Sequence, residues 1–253
     1  MLDRVQIKHE AKGITRNACV SAYVMTLLYL AITNAIGMMD FYISGDYAAY
    51  MEMYAPSIPI PDFLYGPAGI PAMVVLFISV MVALVGSVLR GGLVLYHLGV
   101  RRGEQMPYTT LFDGFSFVGK LILLEIVMYI FVTLWSMLFF IPGIIATYRY
   151  RFALYNLCEN PEMGVMDAIH MSKMQTYGYK MDLFVLDLSF LGWSFLCVLT
   201  MGILSIWIHP YIQQTDIGYF QQIKTAKGIG WFPPQDPLDD GQFHPQDPFD
   251  PRN

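Results

Sequence analysis

Several ionisable side chains lie inside long apolar stretches of the sequence: Arg90, Glu125, Arg149, Arg151, Asp187, His209 and Asp216. A charge in the hydrocarbon core of a membrane is costly, so each of these residues is a candidate for a binding or transport site. Pairs of opposite charge can also serve only to fix helix packing, and long arginine side chains can reach the membrane surface. Two interpretations therefore stay open: a structural charge network, or a polar cavity for an ion, a lipid head group or a peptide.

The distance of a charge from the nearest polar boundary predicts which charges meet. Arg151 precedes the polar residue Glu159 by about 12 Å along a helix. Asp187 follows Lys180 by about 10 Å, which is nearly the same depth. The sequence therefore predicts an Arg151–Asp187 pair, provided that the two helices pack together.

The remaining intramembrane charges are predicted to meet other partners. Arg149 and Arg151 are separated by about 200° around a helix, so they cannot face the same partner. Glu125 lies five residues after Lys120, near the cytoplasmic side of the membrane, and we expect it to approach Arg90.

Residue types that carry catalytic or metal chemistry are scattered. Cys19, Cys158 and Cys197 fit neither a disulfide framework nor a zinc site, and we interpret them as small apolar residues. The histidines lie at different depths, so we predict no metal site and no cofactor. No nucleophile–base spacing, phosphate-binding loop or His-Glu-x-x-His motif is visible, so we expect no enzymatic activity. A lipid-active enzyme remains a third alternative.

The composition determines the class of protein that must position these charges. The 253 residues are 55% hydrophobic and only 14% charged, whereas soluble domains carry about 25% charged residues. Apolar runs of about 20 residues are long enough to cross a bilayer as helices. We predict an all-α, polytopic transmembrane helical bundle of about six spans. The spans are expected near residues 17–39, 70–95, 120–141, 144–158, 181–200 and 203–222.

Helix breakers and amphipathic stretches separate the spans. Pro142, Gly143, Gly202 and Pro210 are predicted helix breaks. Residues 1–16 are too charged for a cleavable signal peptide and are expected to form a cytoplasmic amphipathic segment. A second amphipathic helix is predicted over residues 161–176, with Asn160 as its N-cap and an apolar face formed by Met163, Met166 and Ile169.

The distribution of lysine and arginine predicts the orientation. The segment 40–69 contains neither residue type, whereas the N-terminal segment, the segments 97–120 and 159–182 and the region around Lys224 and Lys227 contain most of the lysines and arginines. The positive-inside rule then places both termini in the cytoplasm if there are six spans; a five-span arrangement would place the C-terminal tail outside. The acidic tail is assigned to residues 223–253, and its last part, residues 228–253, repeats the sequence Pro-Gln-Asp-Pro and is expected to be disordered.

An ordered series of motifs runs from Leu95 to Tyr219. It includes Leu134-Trp135-Ser136, Pro142-Gly143-Ile144, Glu159-Asn160-Pro161-Glu162, Ser172-Lys173, Gly178-Tyr179-Lys180 and Leu191-Gly192-Trp193. This series resembles the domain of unknown function 975, a family of bacterial integral membrane proteins. The resemblance implies a bacterial plasma membrane and a multi-span helical fold, and it supplies no catalytic residues. A more distant likeness is to the membrane region of glycerophosphodiester phosphodiesterases.

Two functional hypotheses follow. The first is a non-enzymatic plasma-membrane protein that acts as an accessory, scaffold or immunity-type subunit through its helices and tail. Its expected partners are membrane lipids and another membrane protein or complex, and homo-oligomerisation is an alternative; nucleic acid is excluded because the basic residues are scattered. The second hypothesis is a transporter or channel-like protein that uses the intramembrane charges to bind a small solute or lipid.

Overall fold

The structure is a computed structural model that describes residues 4–18, 21–54, 57 and 70–231, and every regular element in these ranges is a helix. The α-helices are α1 (Arg4–Asn17), α2 (Ala22–Ile43), α3 (Asp46–Tyr54), α4 (Ala72–Arg101), α5 (Val118–Leu138), α6 (Phe140–Tyr150), α7 (Ala153–Glu159), α8 (Val165–Thr176), α9 (Lys180–Leu199) and α10 (Ser205–Lys227). A 3-10 helix, Tyr108–Phe117, leads into α5. The predicted all-α helical bundle is confirmed.

Within the described ranges, four helical segments are long and apolar enough to cross a membrane: α2, α4, Tyr108–Leu138 and α9. They are compatible with a protein embedded in a membrane. The predicted fourth span, 144–158, is divided between the short helices α6 and α7. The predicted sixth span corresponds to α10, which has 23 residues and is less apolar than the other four segments.

The break between α5 and α6 lies at Phe139, not at the predicted residues Pro142 and Gly143. Phe139 is extended, and both Pro142 and Gly143 lie in the first turns of α6. Proline is tolerated there because the first backbone N–H groups of a helix have no intrahelical acceptor. Gly143 instead allows α6 to approach α5, since a Cβ atom at this position would lie 3.0 Å from the Cα of Ser136.

Of the other two predicted helix breaks, the one at Gly202 is present, whereas the helix continues through Pro210. Gly202 has a φ of +85° in the turn between α9 and α10, a conformation that glycine adopts without steric cost. Pro210 lies inside α10, which continues to Lys227. Proline near the start of a helix removes only the bond to the carbonyl four residues earlier, here that of Ile206, so the helix continues.

The second amphipathic helix starts later than predicted. Helix α8 begins at Val165 after an extended Gly164, and Asn160 ends α7 rather than capping α8. Met166, expected on the apolar face, is 58% exposed. The buried side of α8 carries Ile169 together with small and polar residues, which include Ala168, Ser172 and Thr176.

One end of the bundle is closed by short helices. Helix α7 is buried along its whole length and packs against α4, α5 and α8, while α1 packs on α10. Buried rings and aliphatic side chains, including Phe152, Leu157 and Phe220, fill the interior at this end. We call it the capped end. At the opposite, open end, the last turns of α5 and α9 are largely exposed.

Candidate functional site

A cavity of about 920 Å³ lies inside a ring of five helices. Around the ring α4 contacts α5, α5 contacts α6, α6 contacts α9, α9 contacts α10, and α10 returns to α4. Leu154 and Tyr155 of the buried helix α7 line the cavity toward the capped end. Its ionisable lining residues are Arg90, Glu125, Arg151, Asp187 and Asp216.

Arg151 holds two carboxylates together at the cavity surface. Its Nη1 donates to Oδ2 of Asp187 at 2.6 Å, and its Nη2 donates to Oδ1 at 2.8 Å. Nη2 also donates to both carboxylate oxygens of Asp216 at 2.9 Å. The predicted Arg151–Asp187 pair is therefore present, and Asp216 of α10 joins it. We call these three residues the Arg151 cluster.

A break between two helices places Arg151 in this position. Helix α6 ends at Tyr150, and Arg151 and Phe152 form the turn that leads into α7. Phe152 is fully buried and packs edge-on against the ring of Phe220. Because α6 and α7 are separate helices, spacing along one continuous helix does not fix the direction of the Arg151 side chain.

The predicted Arg90–Glu125 pair is also present but is looser. Nη1 of Arg90 lies 3.8 Å from Oε1 of Glu125, and the Arg90 side chain is 63% exposed. Ser87 donates a short hydrogen bond to the other carboxylate oxygen of Glu125. This pair lies on α4 and α5, beside the Arg151 cluster in the same cavity.

Arg149 and His209, also predicted as candidates, do not line the cavity. The guanidinium of Arg149 lies 6.0 Å above the ring of Tyr150, and its backbone carbonyl accepts a hydrogen bond from Ser172. His209 packs against the ring of Tyr29, with ring centroids 6.2 Å apart. Arg149 and Arg151 thus face different surroundings, as predicted, but the turn between α6 and α7 separates them rather than an angle along one helix.

Tyrosines and a glutamine that were not predicted as site residues also line the cavity. The hydroxyl of Tyr148 donates to Oδ2 of Asp187 at 2.8 Å. Oε1 of Gln213 has no hydrogen-bond partner among the described residues. The helical spacing of Tyr148 and Tyr155 around Arg151 is visible in the sequence, whereas nothing local marks Tyr129 as a lining residue.

A second group of charges fastens the capped end. The carboxylate of Glu159 is nearly fully buried and accepts hydrogen bonds from Lys224 at 2.6 Å and from Arg102 at 3.3 Å. Arg101 donates to the side chains of Gln221 and Glu10. These contacts connect α4, α7, α10 and α1, so we assign them a structural role.

Helix α1 is held across α9 and α10 at the same end. Nζ of Lys8 donates to Ser189 at 2.7 Å and lies 4.5 Å from the ring centroid of Phe190. Burial is the larger cause that lowers the pKa of the Lys8 ammonium, and the positive charge of Arg4 lowers this pKa further. Arg4 pairs with Asp182 at 3.3 Å. The predicted amphipathic segment therefore packs on the bundle through this helix.

The comparisons with known proteins identify one segment of the chain. Residues 137–227 match the family model described as "Protein of unknown function (DUF975)". No curated protein and no solved structure matches the chain. The distant likeness to the membrane region of glycerophosphodiester phosphodiesterases is not supported. Residues 137–227, which contain helices α6 to α10 and the whole Arg151 cluster, are therefore similar to the domain of unknown function 975 family, and the predicted resemblance is confirmed for this segment.

Proposed function

We propose that this protein is a transporter or channel-like membrane protein that binds a small solute or a lipid head group in the cavity at the Arg151 cluster. The observation that carries the proposal is a cavity of about 920 Å³ lined by five ionisable side chains inside a ring of apolar helices. Ligand pockets typically enclose about 300–1,000 Å³ and combine apolar walls with a few polar groups.

A purely structural charge network explains this cavity less well. Protein interiors are close-packed, so residues that only fix helix packing are expected to be enclosed by other side chains. Here the side chains of Arg90 and Asp187 remain 63% and 39% exposed. In a membrane, charges in such a space need water or a ligand to solvate them.

The distribution of positive charge supports an orientation. Arg102, Lys120 and Lys224 make their contacts at the capped end, where Glu159 and Pro161 lie. By the positive-inside rule, we place the capped end and both termini in the cytoplasm and the open end on the outside. The family resemblance supports a bacterial plasma membrane.

The accessory, scaffold or immunity-type role remains a prediction. It depends on the acidic tail, of which residues 232–253 lie outside the described part of the chain. Deleting residues 232–253 tests this role, because an unchanged set of proteins recovered in a detergent pull-down contradicts docking through the tail. Another membrane protein and membrane lipids remain its proposed partners.

Native mass spectrometry of the full chain tests the proposed function. When the wild type is released from mild detergent in the mass spectrometer, it is expected to retain a bound small molecule or lipid, which is detected as added mass. The double variant Arg151→Gln/Asp187→Asn should lose this adduct while keeping the same net charge. The matched control is Arg4→Gln/Asp182→Asn, which removes an ion pair outside the cavity and should keep the adduct. Absence of an adduct on the wild type, or its retention by the cavity variant, contradicts the proposal.

A further inference from the structure

We propose that the cavity selects an organic cation, an amine or quaternary ammonium with an apolar body, and that Asp187 is the carboxylate that contacts it. This inference rests on the proposed binding function and names its ligand class. The inference is based on one arrangement of side chains. A single guanidinium contacts two aspartates at the surface of a cavity that tyrosine rings also line.

The charges that line the cavity do not balance. Arg90 and Glu125 form one pair of opposite charge. Among the lining residues that the structure describes, Arg151 is the only other cation, and it faces both Asp187 and Asp216, so one carboxylate of this set is in excess. An uncompensated carboxylate away from bulk water is costly, and a bound cation removes this cost.

The two aspartates of the Arg151 cluster are not equivalent. The Asp216 side chain is only 11% exposed, and both of its oxygens accept hydrogen bonds from Arg151. Both oxygens of Asp187 also accept hydrogen bonds from Arg151, and Oδ2 accepts another from Tyr148, but the Asp187 side chain is 39% exposed. We therefore assign the roles by exposure: the enclosed Asp216 positions the guanidinium, whereas the more exposed Asp187 presents its carboxylate to the cavity.

Aromatic side chains supply the second element of organic-cation recognition. Tyr129, Tyr148, Tyr150 and Tyr155 all line the cavity. Aromatic ring faces attract cations, and clusters of such rings are a common way to bind quaternary ammonium groups. The guanidinium of Arg151 already lies 5.8 Å from the ring centroid of Tyr148. The tyrosines and the aliphatic side chains of Val132 and Ile144 can then enclose the apolar body of the ligand.

Two probes of similar shape and opposite charge, tetraphenylphosphonium and tetraphenylborate, test the inference on the wild-type full chain in detergent micelles. Equilibrium dialysis against empty micelles corrects for partitioning of each probe into the detergent. The phosphonium cation is expected to bind saturably and at least about tenfold more tightly than the borate anion. A preference for borate, equal binding of the two probes, or no saturable binding of the phosphonium overturns the inference.

Matched variants locate the binding site. Asp187→Asn is expected to weaken phosphonium binding at least about tenfold, whereas Asp182→Asn, the same substitution on the same helix but in the Arg4 pair, should leave it unchanged. Tyr129 is 74% exposed, so Tyr129→Leu should fold normally, and it should bind the phosphonium about threefold more weakly. Wild-type affinity in both Asp187→Asn and Tyr129→Leu contradicts the assignment.

The adduct experiment separates this inference from the proposed function. A cavity-dependent adduct together with a preference for borate, or with no probe binding, overturns the cationic ligand class and leaves the binding function in place. No adduct and no binding of either probe overturn both.

Discussion

Arg151 is the cation that compensates the two aspartates of the cavity, because its guanidinium contacts both Asp187 and Asp216. Removing one member of a buried charge group leaves the remaining charges without compensation, which typically costs about 3–5 kcal/mol. Arg149, only two residues earlier, makes no ion pair with a described residue and packs on the Tyr150 ring. The two arginines therefore form a natural comparison.

We expect Arg151→Gln to destabilise the protein by about 3 kcal/mol, the low end of the range for buried pairs, because two carboxylates then face each other without a cation and Asp187 is partly exposed. Arg149→Gln should cost clearly less, since no carboxylate depends on it. Unfolding in mixed micelles, followed by circular dichroism, measures both changes. Equal losses for the two variants would show that the Arg151 cluster has no special energetic role.

At the scale of elements, close helix contacts depend on glycine. A Cβ atom at Gly218 of α10 would lie 2.6 Å from Cγ2 of Ile7 and 2.9 Å from Nη2 of Arg101. Gly218 therefore allows α1 to lie directly on α10 beside the Arg101 side chain. Gly192 of α9 has nothing within 4 Å of the corresponding position, so it serves as a control.

Gly218→Ala is expected to lower the free energy of unfolding by about 1–3 kcal/mol through overpacking against Ile7. Gly192→Ala should be neutral or slightly stabilising, because alanine favours a helix by about 1 kcal/mol over glycine. Chemical unfolding in micelles measures both, and limited proteolysis at α1 reports whether that helix detaches. Rescue of Gly218→Ala by Ile7→Ala would identify the steric contact; failure of rescue would contradict it.

At the scale of the whole molecule, the bundle has two different ends. The capped end contains α1, α7 and α8 and the ion pairs around Glu159, whereas the turns between α5 and α6 and between α9 and α10 lie at the open end. This polarity makes the proposed orientation testable with single cysteines. Glu104 lies in the exposed turn after α4 at the capped end, and Met201 is exposed in the turn between α9 and α10.

In a chain whose Cys19, Cys158 and Cys197 are replaced by alanine, Met201→Cys is expected to react with a membrane-impermeant maleimide in intact cells. Glu104→Cys should react only after permeabilisation, because the capped end faces the cytoplasm. Gel-shift detection of the labelled chain measures both. Labelling of Glu104→Cys in intact cells would reverse the orientation.

The sequence by itself determined the helical class and much of the site. The excess of apolar residues and the long apolar runs predict helices, because a run of about 20 apolar residues can cross a membrane as a helix that satisfies its own backbone polar groups. Similar depths in the sequence predicted that Arg151 pairs with Asp187 and that Glu125 pairs with Arg90, because the position of a residue along a helix follows from its number. The turn at Gly202 could also be predicted from the sequence, because glycine adopts turn conformations that other residues avoid.

Only the tertiary structure decided which faces meet. It moved the break from Pro142 to Phe139, kept α10 continuous through Pro210 and added Asp216 to the Arg151 cluster. Residue spacing fixes the height of a side chain along its own helix, but the rotation of that helix and the choice of its neighbours depend on packing across the whole bundle. The cavity and its unbalanced charge arise from that packing, so no local pattern in the sequence could predict them.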